Sequence, residues 1–370
     1  IRSAVRQGKG LFFVEGDCEL DDSKQVLEVK ASAEGCLLFS SICKRSLKTL
    51  FEKSEYSDVR SSILKKVRGK IHFFDSFRFI YSSGDTLITE TGSSVTSIRI
   101  PGKWYHRLAF NISLSRLLRS DQVNLMYDGH SRFAAVLRDG CVFKVGIDSG
   151  TIVEIGRVNG FRGLMHNAHC FGPDGKIYFG EYTRRASRNG ASIYCVDLYE
   201  DRLTVAVKLP VGYCKHIHCV RYDEFTGTYW VCTGDENSES RILRYSLDME
   251  LVEEVGGGTQ VYRTCELNFS EHKVWWLMDS PLQPSMEVIY DRKSKLVTNG
   301  DCMPGPVWYG VSIQGIGDFC SIADEPCLYT KRKTTSVLLR SDVSRFNWIE
   351  YFTLEKDFLP YIFKYGSVEI

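Results

Sequence analysis

The chain has 370 residues, of which 43% are hydrophobic and 25% are charged, so it has ample material for a globular core. Its 47 basic and 46 acidic side chains leave a formal net charge of +1, which excludes a bulk electrostatic attraction to nucleic acid or to an anionic membrane. No apolar run approaches the roughly 20 residues that cross a bilayer, so we expect neither a nucleic-acid partner nor a membrane span.

The 13 cysteines are an odd number and include no CxxC pair, which argues against a zinc knuckle or a thioredoxin motif. Several fall inside predicted strands, where a small thiol fills space between sheets. We interpret most of them as reduced core residues, which favours a reducing compartment and a cytoplasmic location. The first residues show no secretory signal, and the absence of an initiator Met leaves a removed signal open.

The N-terminal part of the chain has the weakest pattern. Leu11–Val14 is predicted as a terminal strand, and a first unit contains strands at Val26–Val29 and Cys36–Phe39 on either side of a Glu34-Gly35 turn. Residues 54–70 carry charged and serine side chains with little alternation, so we interpret them as a loop or a short helix.

The next two units read as hairpins, because turns that contain Asp and Gly separate runs of β-forming residues. Gly84 and Gly140 lie in these turns. The strands predicted on either side are Phe79–Tyr81, Thr86–Thr89, Phe133–Val136 and Val142–Val145.

Three later stretches resemble copies of one another. Each begins with His or Thr followed by Cys, continues through a turn into a short strand, and ends at an acidic residue; the Cys residues, Cys170, Cys219 and Cys265, are 49 and 46 residues apart. A period in the forties that is filled with short strands is typical of propeller blades. The strands predicted within these copies are Lys176–Phe179, Ser192–Asp197, Leu203–Val207, Thr228–Val231, Arg241–Ser246, Leu251–Val255 and Lys273–Trp276.

The sequence therefore predicts an all-β protein, a β-propeller of four-stranded blades that forms a single domain over residues 1–370. Seven blades are favoured, and six remain open if one terminal unit is partial. Leu11–Val14 and Tyr361–Tyr365 are expected to close the ring. The blades are placed near residues 21–70, 71–120, 121–162, 163–212, 213–260, 261–306 and 307–357.

A propeller also predicts where a site should lie. The first strand of each blade begins on one face and the second strand returns to it, so residues at these two points should converge over the axis. They are polar groups suited to acid–base chemistry and to hydroxyl-rich ligands. Strand-one starts supply His166, His169, His216, His218, Tyr262, Arg263 and Tyr309, and strand-two ends supply Glu181, Asp235, Asp279 and Asp324.

The His216-Ile217-His218 element has two interpretations. Period 2 puts both imidazoles on one side of the strand, where they could bind a divalent metal with His166 or His169 and a nearby carboxylate. They could equally form hydrogen bonds to the backbone of a neighbouring blade.

The charged residues also have two interpretations each. The planar guanidinium of Arg263 suits a substrate carboxylate, but Arg263 could instead pair with Asp279 or Glu266. Acidic residues after strand two could cap turns rather than contact a ligand.

Two short stretches carry a family resemblance. Ser341–Trp348 is similar to the Ser-x-Asp-x-Gly-x-x-Trp box, and Arg99-Ile100-Pro101 is similar to the Arg-Ile-Pro element of sialidases. On these motifs and the repeat, the chain resembles the sialidase-like (BNR or Asp-box) propeller superfamily. The clustered His residues also resemble those of propeller polysaccharide lyases, which use His and a metal to abstract the proton next to a uronate carboxylate. Both resemblances imply an acidic saccharide or polysaccharide as the ligand.

The sequence hypothesis is a carbohydrate-active propeller of the glycoside hydrolase or polysaccharide lyase type. In it, Arg263 holds the substrate carboxylate, His169 or His218 acts as base or metal ligand, Tyr309 donates a proton, and Asp235 or Asp279 orients or protonates the sugar. The remaining binding residues are Glu181, Tyr262 and Asp324. The alternative is a non-catalytic propeller that binds a protein partner.

Overall fold

A computed structural model describes the protein over residues 2–7, 10–21, 26–30, 61–67, 70–75, 77–103, 123–158, 164–165, 168–183, 190–313, 317–330, 334–341 and 348–355. The chain divides into two compact units: unit 1 comprises residues 1–123, 309–325 and 332–370, and unit 2 comprises residues 124–308 and 326–331. The expectation of a single domain remains a prediction. No helix in the described ranges has the length and apolar character needed to cross a membrane.

Unit 1 begins with a sheet that lacks blade connectivity. The long second strand pairs with all three of the others, so the order does not follow the chain. The four strands are β1 (Arg2–Gln7), β2 (Gly10–Asp21), β3 (Val26–Lys30) and β4 (Ser61–Val67).

The second sheet of unit 1 is an antiparallel meander in which each strand pairs with the next along the chain. It consists of β5 (Lys70–Phe74), β6 (Arg78–Ser83), β7 (Thr86–Thr91) and β8 (Ser94–Arg99).

Unit 2 contains four further meanders of the same kind. The first two consist of β9 (Asn124–Met126), β10 (Phe133–Arg138), β11 (Cys141–Gly146) and β12 (Ile152–Arg157), followed by β13 (His169–Phe171), β14 (Ile177–Gly180), β15 (Ser192–Asp197) and β16 (Arg202–Lys208). The third consists of β17 (Ile217–Asp223), β18 (Thr228–Thr233), β19 (Arg241–Tyr245) and β20 (Leu251–Gly257). After a short 3-10 helix, Gln260–Tyr262, the fourth consists of β21 (Asn268–Phe269), β22 (Lys273–Leu277), β23 (Met286–Asp291) and β24 (Val297–Cys302).

A last meander follows and lies in unit 1 from Tyr309 onward. Its strands are β25 (Val307–Ile313), β26 (Gly317–Ile322), β27 (Thr334–Ser341) and β28 (Ile349–Glu355).

The all-β class and the four-stranded antiparallel blades are thus confirmed, but seven blades are not supported. Within the described ranges six sheets have blade connectivity, which was the open alternative. The first expected blade, near residues 21–70, fails because β2 pairs with β1, β3 and β4 instead of joining a meander. The loop or short helix expected at 54–70 is wrong over Ser61–Val67, which forms β4; the predicted strands Cys36–Phe39 and Tyr361–Tyr365 lie outside the described residues.

The hairpins form where turn chemistry permits them. Asp139 and Gly140 both have positive φ, at 52° and 83°, and Arg138 pairs with Cys141 directly across the turn. Two consecutive residues of positive φ are the mark of the type I′ turn, whose twist matches that of the two strands it joins. The Asp-Gly signal in the sequence is therefore realised as a two-residue hairpin.

The core of unit 2 lies between consecutive sheets rather than within any one of them. Leu137 of β10 and Phe179 of β14 belong to one buried cluster, Cys195 of β15 and Val231 of β18 to a second, and residues of β18 and β22 to a third. Middle strands such as β14 are buried throughout, whereas fourth strands such as β16 are partly exposed. This packing holds the first strands of neighbouring blades side by side.

Candidate functional site

Two imidazoles stack at the start of β17. His216 directly precedes the strand and His218 is its second residue; both are almost fully buried, with 2% of their surface exposed. The pairing of β17 with β18 shifts register between Ile217 and Cys219, so His218 sits in a bulge, a feature that re-aims a side chain. The ring centroids are 4.9 Å apart, and the two Nε2 atoms are 2.9 Å apart.

Asp235 reaches this pair from the end of β18. Gly234 turns the chain with a φ of +77°, and a Cβ atom there would lie 2.3 Å from backbone atoms of Glu239, so the turn requires glycine. The Gly234 N–H donates to the His216 carbonyl at 3.1 Å. Asp235 Oδ1 then lies 3.3 Å from Nε2 of both His216 and His218.

The next sheet supplies an arginine and a second aspartate. Arg263 follows the 3-10 helix, and Asp279 follows β22; the Asp279 N–H donates to the Arg263 carbonyl at 3.0 Å. The Arg263 guanidinium donates to the Asp235 carbonyl at 3.1 Å, lies 3.4 Å from Asp235 Oδ1, and places Nε 3.5 Å from Asp279 Oδ2. The Cys265 thiol donates to the same Asp279 oxygen at 3.4 Å.

We call His216, His218, Asp235, Arg263 and Asp279 the His–Asp cluster. Burial would raise the pKa of Asp235, but hydrogen bonds from His216 and His218 outweigh it and hold that pKa far below its usual range. Burial raises the pKa of Asp279 against the opposing charge of Arg263, and burial lowers the pKa of His218. The pKa values of the two carboxyl groups are therefore shifted in opposite directions, a pattern typical of functional sites.

Among the His and Asp residues of the cluster, two buried atoms have no hydrogen-bond partner in the part of the chain that the structure describes: His218 Nδ1 and Asp279 Oδ1. Two groups of side chains also bring potential metal-ligand atoms within 4.8 Å of one another. The groups are His216 with His218 and Asp235, and His218 with Cys265 and Asp279.

The cluster meets solvent at Asp235, whose side chain is 31% exposed. Lys215 lies beside it, with Nζ 3.8 Å from Asp235 Oδ2 and 30% of the side chain exposed. The half-buried Tyr182 ring packs on His216 at a centroid distance of 4.5 Å. The sequence prediction missed both residues, although Tyr182 follows the strand-two end at Glu181 and Lys215 directly precedes the HxH element.

The other predicted residues of unit 2 are not members of the His–Asp cluster. His169 begins β13, and its ring lies 6.4 Å from that of Phe171; His169 is not among the side chains that bond Asp235. Glu181 accepts a hydrogen bond from the Ser192 N–H, and burial raises its pKa. The Tyr262 ring lies 6.2 Å from the Trp276 ring of β22 and covers Gly256 of β20, so it packs between two consecutive sheets.

The three remaining predicted residues are not among the described residues of unit 2. His166, expected as a metal ligand, lies outside the described residues. Tyr309 in β25 is half-buried, and Asp324 after β26 is 2% exposed; both belong to unit 1.

Comparison with known proteins supports the propeller resemblance at the level of fold. A putative 6-phosphogluconolactonase from Bacteroides fragilis is similar to the chain with a TM-score of 0.52 and 9% identity, over 81% of this chain and 89% of that one. An oligogalacturonate lyase from Vibrio parahaemolyticus matches with a TM-score of 0.49 and 11% identity, over 93% and 86%. A putative TolB from Agrobacterium tumefaciens matches with a TM-score of 0.44 and 12% identity, over 66% and 81%.

The comparisons name no family. No protein-family model matches the chain. No curated protein matches it either. The sialidase-like superfamily that the sequence motifs resemble is therefore not supported.

Proposed function

We propose that the protein binds an acidic saccharide at the His–Asp cluster and cleaves it by hydrolysis or elimination. The observation that carries this proposal is the meeting of His216, His218 and Asp235 with Arg263 and Asp279 in one contact network, although their positions span 64 residues of sequence. Acid–base chemistry on a sugar requires polar groups that converge on one place. It also requires carboxyl groups whose pKa values differ, so that one is protonated while the other is ionised.

The substrate carboxylate would be recognised by Lys215. Arg263 was expected to take this role, but its guanidinium bonds Asp235 and Asp279 and is 9% exposed. Arg263 would therefore position the two carboxylates, while the partly exposed Lys215 side chain would meet the ligand. Tyr182 beside His216 would supply apolar surface for one face of a sugar ring.

The proton chemistry would fall to the exposed side of the cluster. His216 donates from Nδ1 to the Thr183 carbonyl at 3.1 Å, so the nitrogen left to accept a proton is Nε2, which lies 3.3 Å from the ionised Asp235. His218 and Asp279 lie behind these groups and would act through them. Elimination would use His216 to remove the proton next to the uronate carboxylate, whereas hydrolysis would use it to activate water.

The test is binding and turnover on purified full-length chain with uronate polymers and with neutral glucans as a matched set. Unsaturated products that absorb ultraviolet light would report elimination, and new reducing ends without them would report hydrolysis. Lys215→Met should weaken uronate binding by roughly tenfold to a hundredfold, the value of a hydrogen bond to a charged group. Lys273→Met, at the exposed far end of β22 from Asp279, is the control and should bind normally.

Two results would contradict the proposal. One is retention of no saccharide by the folded protein. The other is equal uronate affinity in Lys215→Met and the parent chain. Co-purification of one protein in the absence of any saccharide binding would instead favour the alternative, an interaction scaffold.

A further inference from the structure

We infer that His216, His218 and Asp235 bind one divalent transition-metal ion through Nε2, Nε2 and Oδ1. The inference deepens the proposed function and rests on it for the use of the site, since the ion would serve the same cluster. With the ion bound, His216 Nε2 is a ligand, so water held by the ion would replace His216 as the base. The assignment of the ligands rests on the geometry of these three side chains alone.

The spacing of the three atoms is that of ligands around one ion. The Nε2 atoms are 2.9 Å apart, and each lies 3.3 Å from Asp235 Oδ1. Zinc-type ions bind imidazole nitrogen and carboxylate oxygen at about 2.0–2.2 Å, so neighbouring ligands at tetrahedral or octahedral angles are about 2.8–3.5 Å apart. An ion can therefore contact all three atoms without moving them apart.

The protonation of His216 leaves the correct nitrogen free. Its Nδ1 lies 3.1 Å from the Thr183 carbonyl oxygen, which can only accept, so Nδ1 carries the proton. When an ion replaces the hydrogen bond from His216 to Asp235, Nε2 of the neutral ring presents its lone pair to the ion, beside the His218 Nε2 and Asp235 Oδ1. A histidine that donates its second N–H to a backbone carbonyl is the usual support of a metal ligand.

The same assignment bears on His218 Nδ1, a buried atom that has no partner among the described residues. With an ion on Nε2, neutral His218 carries its proton on Nδ1. Asp279 lies near this ring, with a carboxylate oxygen within 4.8 Å of one of its nitrogens. Arg263, which bonds both aspartates, would hold Asp235 and Asp279 in place.

The ligand set selects the class of ion. Two imidazoles with one carboxylate suit Zn²⁺, Fe²⁺ or Co²⁺, whereas Mg²⁺ and Ca²⁺ prefer oxygen ligands. Three protein ligands also leave positions for water or substrate. A bound ion would therefore add a Lewis acid next to Lys215, where a substrate carboxylate would be recognised.

The second group of potential ligands, His218, Cys265 and Asp279, is less suitable. All three side chains are at least 97% buried, the Cys265 thiol already donates to Asp279, and Arg263 pairs with Asp279. An ion there would have to break both contacts and has no exposed ligand through which to enter. In the group formed by His216, His218 and Asp235, the Asp235 side chain is partly exposed and provides a path for an ion to enter.

The experiment uses full-length protein that has been stripped with a chelator under reducing conditions and then titrated with Co²⁺ and with Zn²⁺. Metal content, the visible spectrum of bound Co²⁺ and the shift in Tm are the readouts. We expect one equivalent of Co²⁺, no thiolate-to-cobalt absorption band, and a rise in Tm. Asp235→Asn should weaken binding by more than about 100-fold, because loss of a ligand costs at least as much as loss of its supporting residue.

His218→Gln is the second ligand variant, and Lys273→Met is the control, because it removes an exposed lysine at the end of β22 far from Asp279 and changes no ligand. Each variant's Tm without metal shows whether it folds. Failure of the folded parent chain to bind either ion would overturn the inference, as would a thiolate band or equal affinity in Asp235→Asn. Stoichiometric metal without saccharide binding would contradict the proposed function alone, and saccharide binding by a folded chain that binds neither ion would contradict this inference alone.

Discussion

Arg292 and Asp223 form a two-pronged ion pair that joins consecutive sheets of unit 2. Asp223 ends β17 and Arg292 follows β23; Nη1–Oδ2 is 2.6 Å and Nη2–Oδ1 is 3.0 Å. The guanidinium also lies 5.9–6.0 Å from the ring centroids of Phe225, Trp230 and Phe269. Asp223 is fully buried, so Arg292 is the counter-charge of a carboxylate that is removed from water.

Replacing Arg292 with Ala should lower the free energy of unfolding by about 3–5 kcal/mol, because it leaves a buried carboxylate without its cation. Urea denaturation measures this change. Arg202→Ala, which removes an exposed arginine paired with an exposed Glu200, is the control and should change little. Full stability in Arg292→Lys would contradict the account, since an ammonium cannot bond both Asp223 oxygens in this planar geometry.

Arg263 should behave as the counter-charge of Asp279. Arg263→Ala should destabilise unit 2 by about 3–5 kcal/mol, because it leaves Asp279, a residue that is 3% exposed, without its counter-charge. The double variant Arg263→Ala/Asp279→Ala should recover part of that loss, which a double-mutant cycle in urea detects. Strict additivity of the two single effects would show that the two side chains do not interact.

Gly180 is expected to accept no side chain. A Cβ atom there would lie 2.4 Å from Cγ2 and 2.6 Å from Cβ of Ile217, the residue between His216 and His218. Gly180→Ala should therefore cost about 1–3 kcal/mol and displace the start of β17. The urea midpoint measures the cost, and an unchanged midpoint would mean that the two strands separate freely.

None of the ten described cysteines forms a disulfide, and they differ sharply in exposure. Cys302 is exposed, whereas Cys219 and Cys232 are fully buried on paired positions of β17 and β18; burial raises the pKa of Cys232 well above its ordinary value. Brief alkylation of the native protein should label Cys302 and spare Cys219 and Cys232. Mass spectrometry with and without denaturant tests this, and equal labelling rates would refute it.

The later blades were predictable because their signals are local. The strands expected at Lys176–Phe179, Thr228–Val231 and Lys273–Trp276 are present as β14, β18 and β22, since hairpin turns and apolar alternation act within a dozen residues. Ser61–Val67 was missed because two lysines interrupt its pattern. The blade count failed because the pairing of β2 with three strands is a long-range choice that local patterns do not encode.

The candidate site was predictable in position but not in detail. The repeat brought His216, His218, Asp235, Arg263 and Asp279 into consideration, and the structure brings them together. Whether Arg263 faces a ligand or Asp279 depends on distances that the sequence does not contain. Lys215 is one of many lysines in the chain, and only its 3.8 Å separation from Asp235 distinguishes it.

The buried clusters of unit 2 are shared between successive sheets, and this has a consequence for how the protein comes apart. Each buried cluster is formed by residues of two consecutive sheets, so separating one sheet exposes apolar side chains of the next. His216 and Asp279 flank strands of two adjoining sheets, so they lie on either side of one such shared cluster. Separation of these two sheets would break the contacts between the imidazoles and carboxylates before the individual hairpins unfold. The proposed activity should therefore be lost at a lower denaturant concentration than the β-sheet signal.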